Sequence, residues 1–436
     1  MLMLIDIPVL WQYLALLGAV LVLLILDMFY SAFRHRSLSD FWSEEHYFLF
    51  PWGGNLRQHM GTFFLLSAIF FYAVKTMLRS CTLYQAEWTG PEGTFDRFAE
   101  SFYDISLILA LIKLLLFSRF SWKQFFLCSL FLTPFFISHI ITQDPSYFLE
   151  FLLILCAKGE DLRKLLKYLL STLLLCTAGI FTLYFNGLIP VDSTGGALVE
   201  EVRHRFALGF IHPNIFSLYV AALNWGWLLL RWHKIRWWDW LCIAFLNAGV
   251  YYLTDSRSMF LCVAASELIA LILHRFPRLF RFSIWAWLAA LVPPVLAALT
   301  LLPCYYYDPS SPLWSKINRL FSTRPALFFD YWQNSGWSVW GMDASSGDSI
   351  FLFMQIERGA ICWILFILAY SALLFMLCKN HCWAEFTVCL GLLFICFTEK
   401  TPLAITVNLT FWMLSNLLCL LPWSRWTRFS IPREQD

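Results

Sequence analysis

Arg203-His204-Arg205-Phe206-Ala207-Leu208-Gly209-Phe210-Ile211-His212-Pro213-Asn214 is the densest run of chemistry-bearing residues in the sequence. Two arginines and a histidine precede a flexible glycine, and His-Pro-Asn follows at the mouth of an apolar stretch. Pro213 suits the first turn of a helix, where its missing N–H costs nothing. A helix starting there turns unpaired backbone N–H groups and a positive dipole end toward the arginines. An ordinary loop-to-helix junction with a structural histidine has the same spacing. A second cluster, Thr254-Asp255-Ser256-Arg257-Ser258, is a polar turn between two apolar stretches, whose Asp and Arg can simply pair with each other. The third is Asn318-Arg319-Leu320-Phe321-Ser322-Thr323-Arg324. The aromatic residues near it, Phe328, Phe329, Tyr331 and Trp332, suggest an amphipathic segment lying on a membrane. Asp348 opens the next apolar stretch, and Glu399 sits near the end of a later one.

The elements that must position these residues follow from composition. Hydrophobic residues make up 60% of the 436 and charged residues 14%, against about 45–50% and about 25% in a soluble domain. Aromatics reach 19%, with 43 Phe and 22 Trp, as lipid-facing surfaces and interfacial belts require. The net charge of +2 gives no basis for a nucleic-acid partner. The 13 Cys lie mostly inside apolar runs, as at Cys242, Cys262 and Cys396, without metal-ligand spacing, and read as packing residues. Cys81 and Cys304 both fall in expected outer loops and could pair, although free thiols are the expectation.

A spanning helix needs about 20 apolar residues to cross a core about 30 Å thick. Candidates lie near 8–30, 61–78, 102–118, 124–141, 145–157, 168–190, 210–230, 237–254, 258–273, 283–303, 348–377, 382–398 and 402–422. The piece at 145–157 is short, so the count is twelve or thirteen. The expected fold is therefore all-α, a single polytopic membrane domain over 1–436 with one long loop at about 304–347. The first apolar run lacks a basic stretch and a small-residue cleavage site, so it reads as an uncleaved span.

Basic residues fix the direction. Alternate connections carry them, from Arg34, Arg36 and Arg57 through Lys158–Lys167, Arg231–Arg236 and Arg275–Arg281 to Lys379, Arg425 and Arg428; these are assigned to the cytoplasm. Arg203, Arg205, Arg257, Arg319 and Arg324 then fall on the outer side, against the rule. Any one of them is explained by snorkelling at a helix end. Five together suit an anionic ligand with several oxygens, because guanidinium forks hold phosphate in two places and cannot be deprotonated. Glu357 and Arg358 differ: on a continuous helix from Asp348 they would lie about 14 Å deep at 1.5 Å per residue. Charges at that depth face a cavity or a partner, and consecutive residues point about 100° apart.

At these residues the sequence resembles a known family. RHRFALGFIHPNIF is similar to the R-x-x-LGF-x-HPN signature of Gram-positive capsule and exopolysaccharide repeat-unit polymerases, within the O-antigen ligase and polymerase superfamily. The later order agrees: a Ser-Arg turn at Ser256 and Arg257, an S-[GT]-R-like segment from Ser322 to Arg324, an aromatic stretch ending in Trp340-Gly341, and Asp348. The resemblance covers about residues 200–360. Pro325 after Arg324 and Ile350 depart from the pattern.

The resemblance implies a multi-pass enzyme of the bacterial cytoplasmic membrane. Two oligosaccharides on undecaprenyl diphosphate would meet at its outer face, a sugar hydroxyl of one attacking the anomeric carbon of the other. Arg203, Arg205, Arg257, Arg324 and, less centrally, Arg319 would hold the diphosphate, with His212 or Asp348 as base. No cofactor or metal is implied, since no acidic cluster suits Mg²⁺. Partners would be the lipid-linked substrate, membrane lipids and other capsule-assembly proteins such as a flippase and a chain-length regulator. Two other functions compete. A ligase of the superfamily is expected to carry a histidine in the long outer loop, and 304–347 has none. A transporter or flippase of lipid-linked glycan should show paired broken helices and charges along a central path; neither is evident.

Overall fold

The computed structural model describes residues 55–82, 94–142, 146–189, 205–321, 323–344, 348–400 and 404–430, together with 42–47 and positions 22, 25, 26 and 28. Arg203 and the span expected at 8–30 fall outside them, apart from those four positions in the span.

The chain is an all-α polytopic membrane protein. In lipid every backbone polar group must be satisfied within its own segment, which selects helices. Among the described residues these are, in chain order, α1 (Asn55–Arg79), α2 (Thr94–Ile112), α3 (Trp122–Thr142), α4 (Ser146–Cys156), α5 (Leu162–Phe185), α6 (Pro213–Arg231), α7 (Trp237–Thr254) and α8 (Arg257–Arg275). They continue with α9 (Ser283–Ala290), α10 (Val292–Tyr306), α11 (Pro312–Leu320), α12 (Arg324–Ser335), α13 (Ile350–Ile356), α14 (Ala360–Lys379), α15 (Trp383–Thr398) and α16 (Phe411–Leu418). Among the described residues six helical stretches are long and apolar enough to cross a membrane: Leu56–Arg79, Trp122–Thr142, Leu162–Phe185, Arg257–Arg275, Ser283–Tyr306 and Ala360–Lys379. Among the described residues strand pairing is confined to two-residue segments, His46–Tyr47 against Arg119–Phe120, antiparallel, and an isolated bridge between Cys81 and Phe210. Large apolar side chains such as Leu175, Phe245 and Trp287 stand exposed on helix flanks, as a bundle in lipid presents them. All 13 cysteines, Cys81 and Cys304 included, are free thiols.

Three expectations are corrected. The stretch 348–377 is not one helix. The chain turns at Glu357–Gly359, leaving α13 as a short piece and α14 as the crossing helix. Gly359, at φ +91°, is where the loop from the preceding segment presses against the backbone; a side chain there would drive into the Val339 carbonyl. The Ser338 carbonyl accepts the Ala360 N–H at 2.9 Å, so that loop caps α14. Glu357 and Arg358 therefore sit at an end of the bundle, not at mid-depth. Arg358 is buried, donates to Thr142 Oγ1 at the end of α3 (2.7 Å) and lies over the Phe353 ring.

In the aromatic segment after Arg324, Phe328 and Trp332 face protein, not a membrane. Pro325, Phe328 and Trp332 fall on one face of α12 and are buried, Phe328 and Trp332 against Cys304 of α10 and Leu352 and Ile356 of α13. The exposed apolar stripe is on α11 instead, at Leu313 and Leu320. Finally, the span expected at 402–422 holds only the eight-residue α16 as α-helix among its described residues.

The two ends of the bundle use charge differently. At the end carrying the basic connections, Arg163 donates to the carbonyls of Leu230 (2.6 Å), Phe429 and Ser430 (both 3.0 Å), and Lys113 pairs with Glu160 at 2.6 Å. The other end carries the site.

Candidate functional site

The loop leading into α6 is held by backbone bonds from two sides. Gly209 O accepts Thr82 N–H and Ser80 O accepts Ile211 N–H, both at 2.9 Å, while Phe206 N–H donates to Leu253 O at the end of α7 (3.0 Å). Leu208 and Gly209 take positive φ to make the reversal, and Phe210 is fully buried beneath it. His212 caps α6, its Nδ1 accepting the Asn214 N–H at 3.1 Å, and Pro213 occupies the first turn. An Nδ1 that accepts carries no proton, so the neutral ring bears its proton on Nε2.

From this junction a hydrogen-bonded chain crosses the bundle end. Arg205 donates through Nε to Thr254 O (2.8 Å) and through Nη2 to Asn214 Oδ1 (2.8 Å) and Ser256 Oγ (3.2 Å). Ser256 Oγ also donates to Asn214 Oδ1 at 2.7 Å. Asn214 Nδ2 then donates to Glu399 Oε1 at 2.8 Å. The same oxygen accepts Arg324 Nη2 at 2.6 Å and Ser258 Oγ at 3.4 Å, and Arg324 Nε holds the Thr398 carbonyl at 2.9 Å. Thr323, in the left-handed region at φ 67°, and Pro325 set Arg324 at the start of α12, pointing it back toward the end of α15.

Over this chain opens a cavity of about 320 Å³. Arg205, Arg257, Arg324, His212 and Asp348 line it, together with Asn214, Ser256, Ser258, Glu399 and Lys400. Residues separated by more than a hundred positions thus share one space. Arg319, exposed on α11, does not line it. Arg257 is the most open of the three arginines, paired with Asp255 at 3.5 Å while its side chain is 56% exposed; such a pair contributes little on its own.

Electrostatics separate the titratable groups. Burial raises Glu399 to about 7; Arg324 pulls the other way and does not cancel it. His212 is open to the cavity but walled by protein, and this burial, then Arg205, lowers its pKa below the ordinary value, so it is neutral at pH 7. His212 therefore meets the cavity as an N–H donor. Asn214, Ile215, Asp255, Ser256, Ser258, Glu399 and Lys400 also line the cavity, and residue type and spacing give none of them a role there. Asn214 stands in the His-Pro-Asn motif, and the only sequence signal for Glu399 is its place near the end of an apolar stretch.

No family model, curated protein or solved structure matches the chain.

Proposed function

We propose that the chain is a polysaccharide polymerase of a bacterial cytoplasmic membrane, joining oligosaccharide repeat units carried on undecaprenyl diphosphate at the outer face. The observation that carries this reading is the meeting of Arg205, Arg257 and Arg324, from three distant segments, on one cavity at the bundle end away from the basic connections. The leaving group of the transfer is a diphosphate, so stabilising its developing charge is the main electrostatic task. Guanidinium groups already fixed by Thr254 O and Thr398 O need no reorganisation to receive it. The Nε2–H of His212 adds a further donor at the same oxygens, which recasts it from base to hydrogen-bond partner. Two carboxylates besides that of Asp255, those of Asp348 and Glu399, line the same cavity, within reach of the proton of the attacking hydroxyl.

Deletion of the gene followed by sizing of the surface glycan tests the reading. Single repeat units left on lipid are the expected result. Accumulated long lipid-linked chains would make the protein a ligase, and repeat units held on the inner leaflet would make it a flippase.

The transfer is expected to proceed without a divalent ion, since arginines do the work a metal does elsewhere. Purified protein with lipid-linked repeats should polymerise equally in excess chelator. Complete loss that Mg²⁺ or Mn²⁺ restores would sink this expectation.

A further inference from the structure

We propose that Glu399 is the catalytic base of the transfer, its Oε2 taking the proton of the attacking sugar hydroxyl. This rests on the polymerase reading and names a residue for it. In the step, the hydroxyl oxygen forms the new bond to the anomeric carbon and the bond from that carbon to the phosphate oxygen breaks. Its electron pair leaves with the lipid diphosphate, and the hydroxyl proton passes to Glu399. The protonated carboxyl returns that proton to water through the open cavity, and no oxidant or second reactant is needed.

The geometry divides the carboxylate in two. Oε1 is fixed by Arg324, Asn214 and Ser258, each from a different element. Oε2 has no hydrogen-bond partner among the described residues, on a side chain that lines the cavity. One oxygen is thus anchored and the other is left as an acceptor, which is the arrangement a base needs to be held near its proton. The alternatives lack one half of this. His212 has its Nδ1 occupied by the Asn214 N–H and could accept only by abandoning the cap of α6. Asp348 is exposed, and no hydrogen bond fixes it among the described residues.

The groups facing Glu399 come from every wall. Arg324 and Asp348 act on it directly, Lys400 follows it in sequence, and Cys262 of α8 lies behind it. Across the cavity stand Arg205, His212, Asp255 and Arg257. Burial outweighs the cations and leaves the carboxyl near the working pH, where a base is most effective. A base must be ionised, so the rate rises as pH climbs through about 7 and falls away below it. Bound diphosphate adds negative charge nearby and moves the limb upward, so kcat should show a higher apparent pKa than kcat/KM.

The test uses the full chain in lipid nanodiscs, with a synthetic repeat unit on undecaprenyl diphosphate as substrate and undecaprenyl diphosphate alone as binding probe. Glu399→Gln keeps an acceptor for Arg324 but takes no proton. Its transfer should fall by about 10²-fold or more, with probe binding changed only a few-fold, while Glu399→Asp keeps part of the rate and a pH limb. Glu399→Gln transferring at close to the wild-type rate overturns the assignment and leaves the polymerase reading intact. So does a wild-type rate that is flat across neutral pH, a readout that stands even if Glu399→Gln folds poorly. Wild-type protein that binds the probe yet makes no polymer removes the polymerase reading, and this proposal with it.

Discussion

Arg324→Lys is expected to lower the glycosyl-transfer rate by about 10²–10³, the usual effect of losing a transition-state donor, with lipid binding affected far less. The charge is kept, so the loss measures the fork. Arg324 spends Nε on Thr398 O at 2.9 Å and Nη2 on Glu399 Oε1 at 2.6 Å, which leaves Nη1 without a partner among the described residues. A lysine has one nitrogen in place of three and cannot hold the carbonyl, the carboxylate and a phosphate oxygen together. The competing explanation is that Arg324 anchors its loop to lipid headgroups, where lysine serves nearly as well. Its side chain is only 12% exposed and points into the bundle end, which argues against that role. Polymer length in cells complemented with the variant at equal protein level separates the two. Wild-type chain length would leave Arg324 as a structural clip.

Much of this site can be read from residue type and spacing. His212-Pro213-Asn214 starts a helix where the proline says it should. The arginines are conspicuous because they sit near helix ends in the connections opposite the main basic ones. What sequence does not carry is the partner of each group. Glu399 lies 185 positions from Asn214 and 75 from Arg324, and no periodicity links them. Hydropathy also misreads a break: 348–377 is apolar on average, so the turn at Glu357–Gly359 shows only as two charges and a glycine. The direction of the aromatic face of α12 is hidden from the sequence for a related reason. Phe328 and Trp332 look the same to a sequence whether they cover lipid or a neighbouring helix, and it is α10 that decides.

The second large effect is expected at Asn214, the residue that joins the two halves of the chain of bonds. Its Oδ1 accepts Arg205 Nη2 at 2.8 Å and Ser256 Oγ at 2.7 Å, and its Nδ2 donates to Glu399 Oε1 at 2.8 Å. Leucine has the same branched outline, though it is bulkier, and neither function, so Asn214→Leu leaves a guanidinium nitrogen, a hydroxyl and a carboxylate oxygen each short of one partner. Unsatisfied groups of this kind cost about 1–3 kcal/mol apiece when buried. The half-open position of Asn214 reduces that, and a loss of roughly 2–4 kcal/mol is expected for the set. Thermal unfolding in detergent, compared with wild type under one scan rate, should show a clearly lower midpoint. Polymerisation should fall further than stability does, because Arg205 and Glu399 are released together. The decisive comparison is a cycle of Arg205→Ala, Asn214→Ala and the double variant read by transfer rate. Strong non-additivity means that the asparagine acts by holding the arginine. Simple additivity, with a wild-type melting midpoint for Asn214→Leu, would mean that the two act independently and that the chain of bonds across the cavity does not couple its arginines.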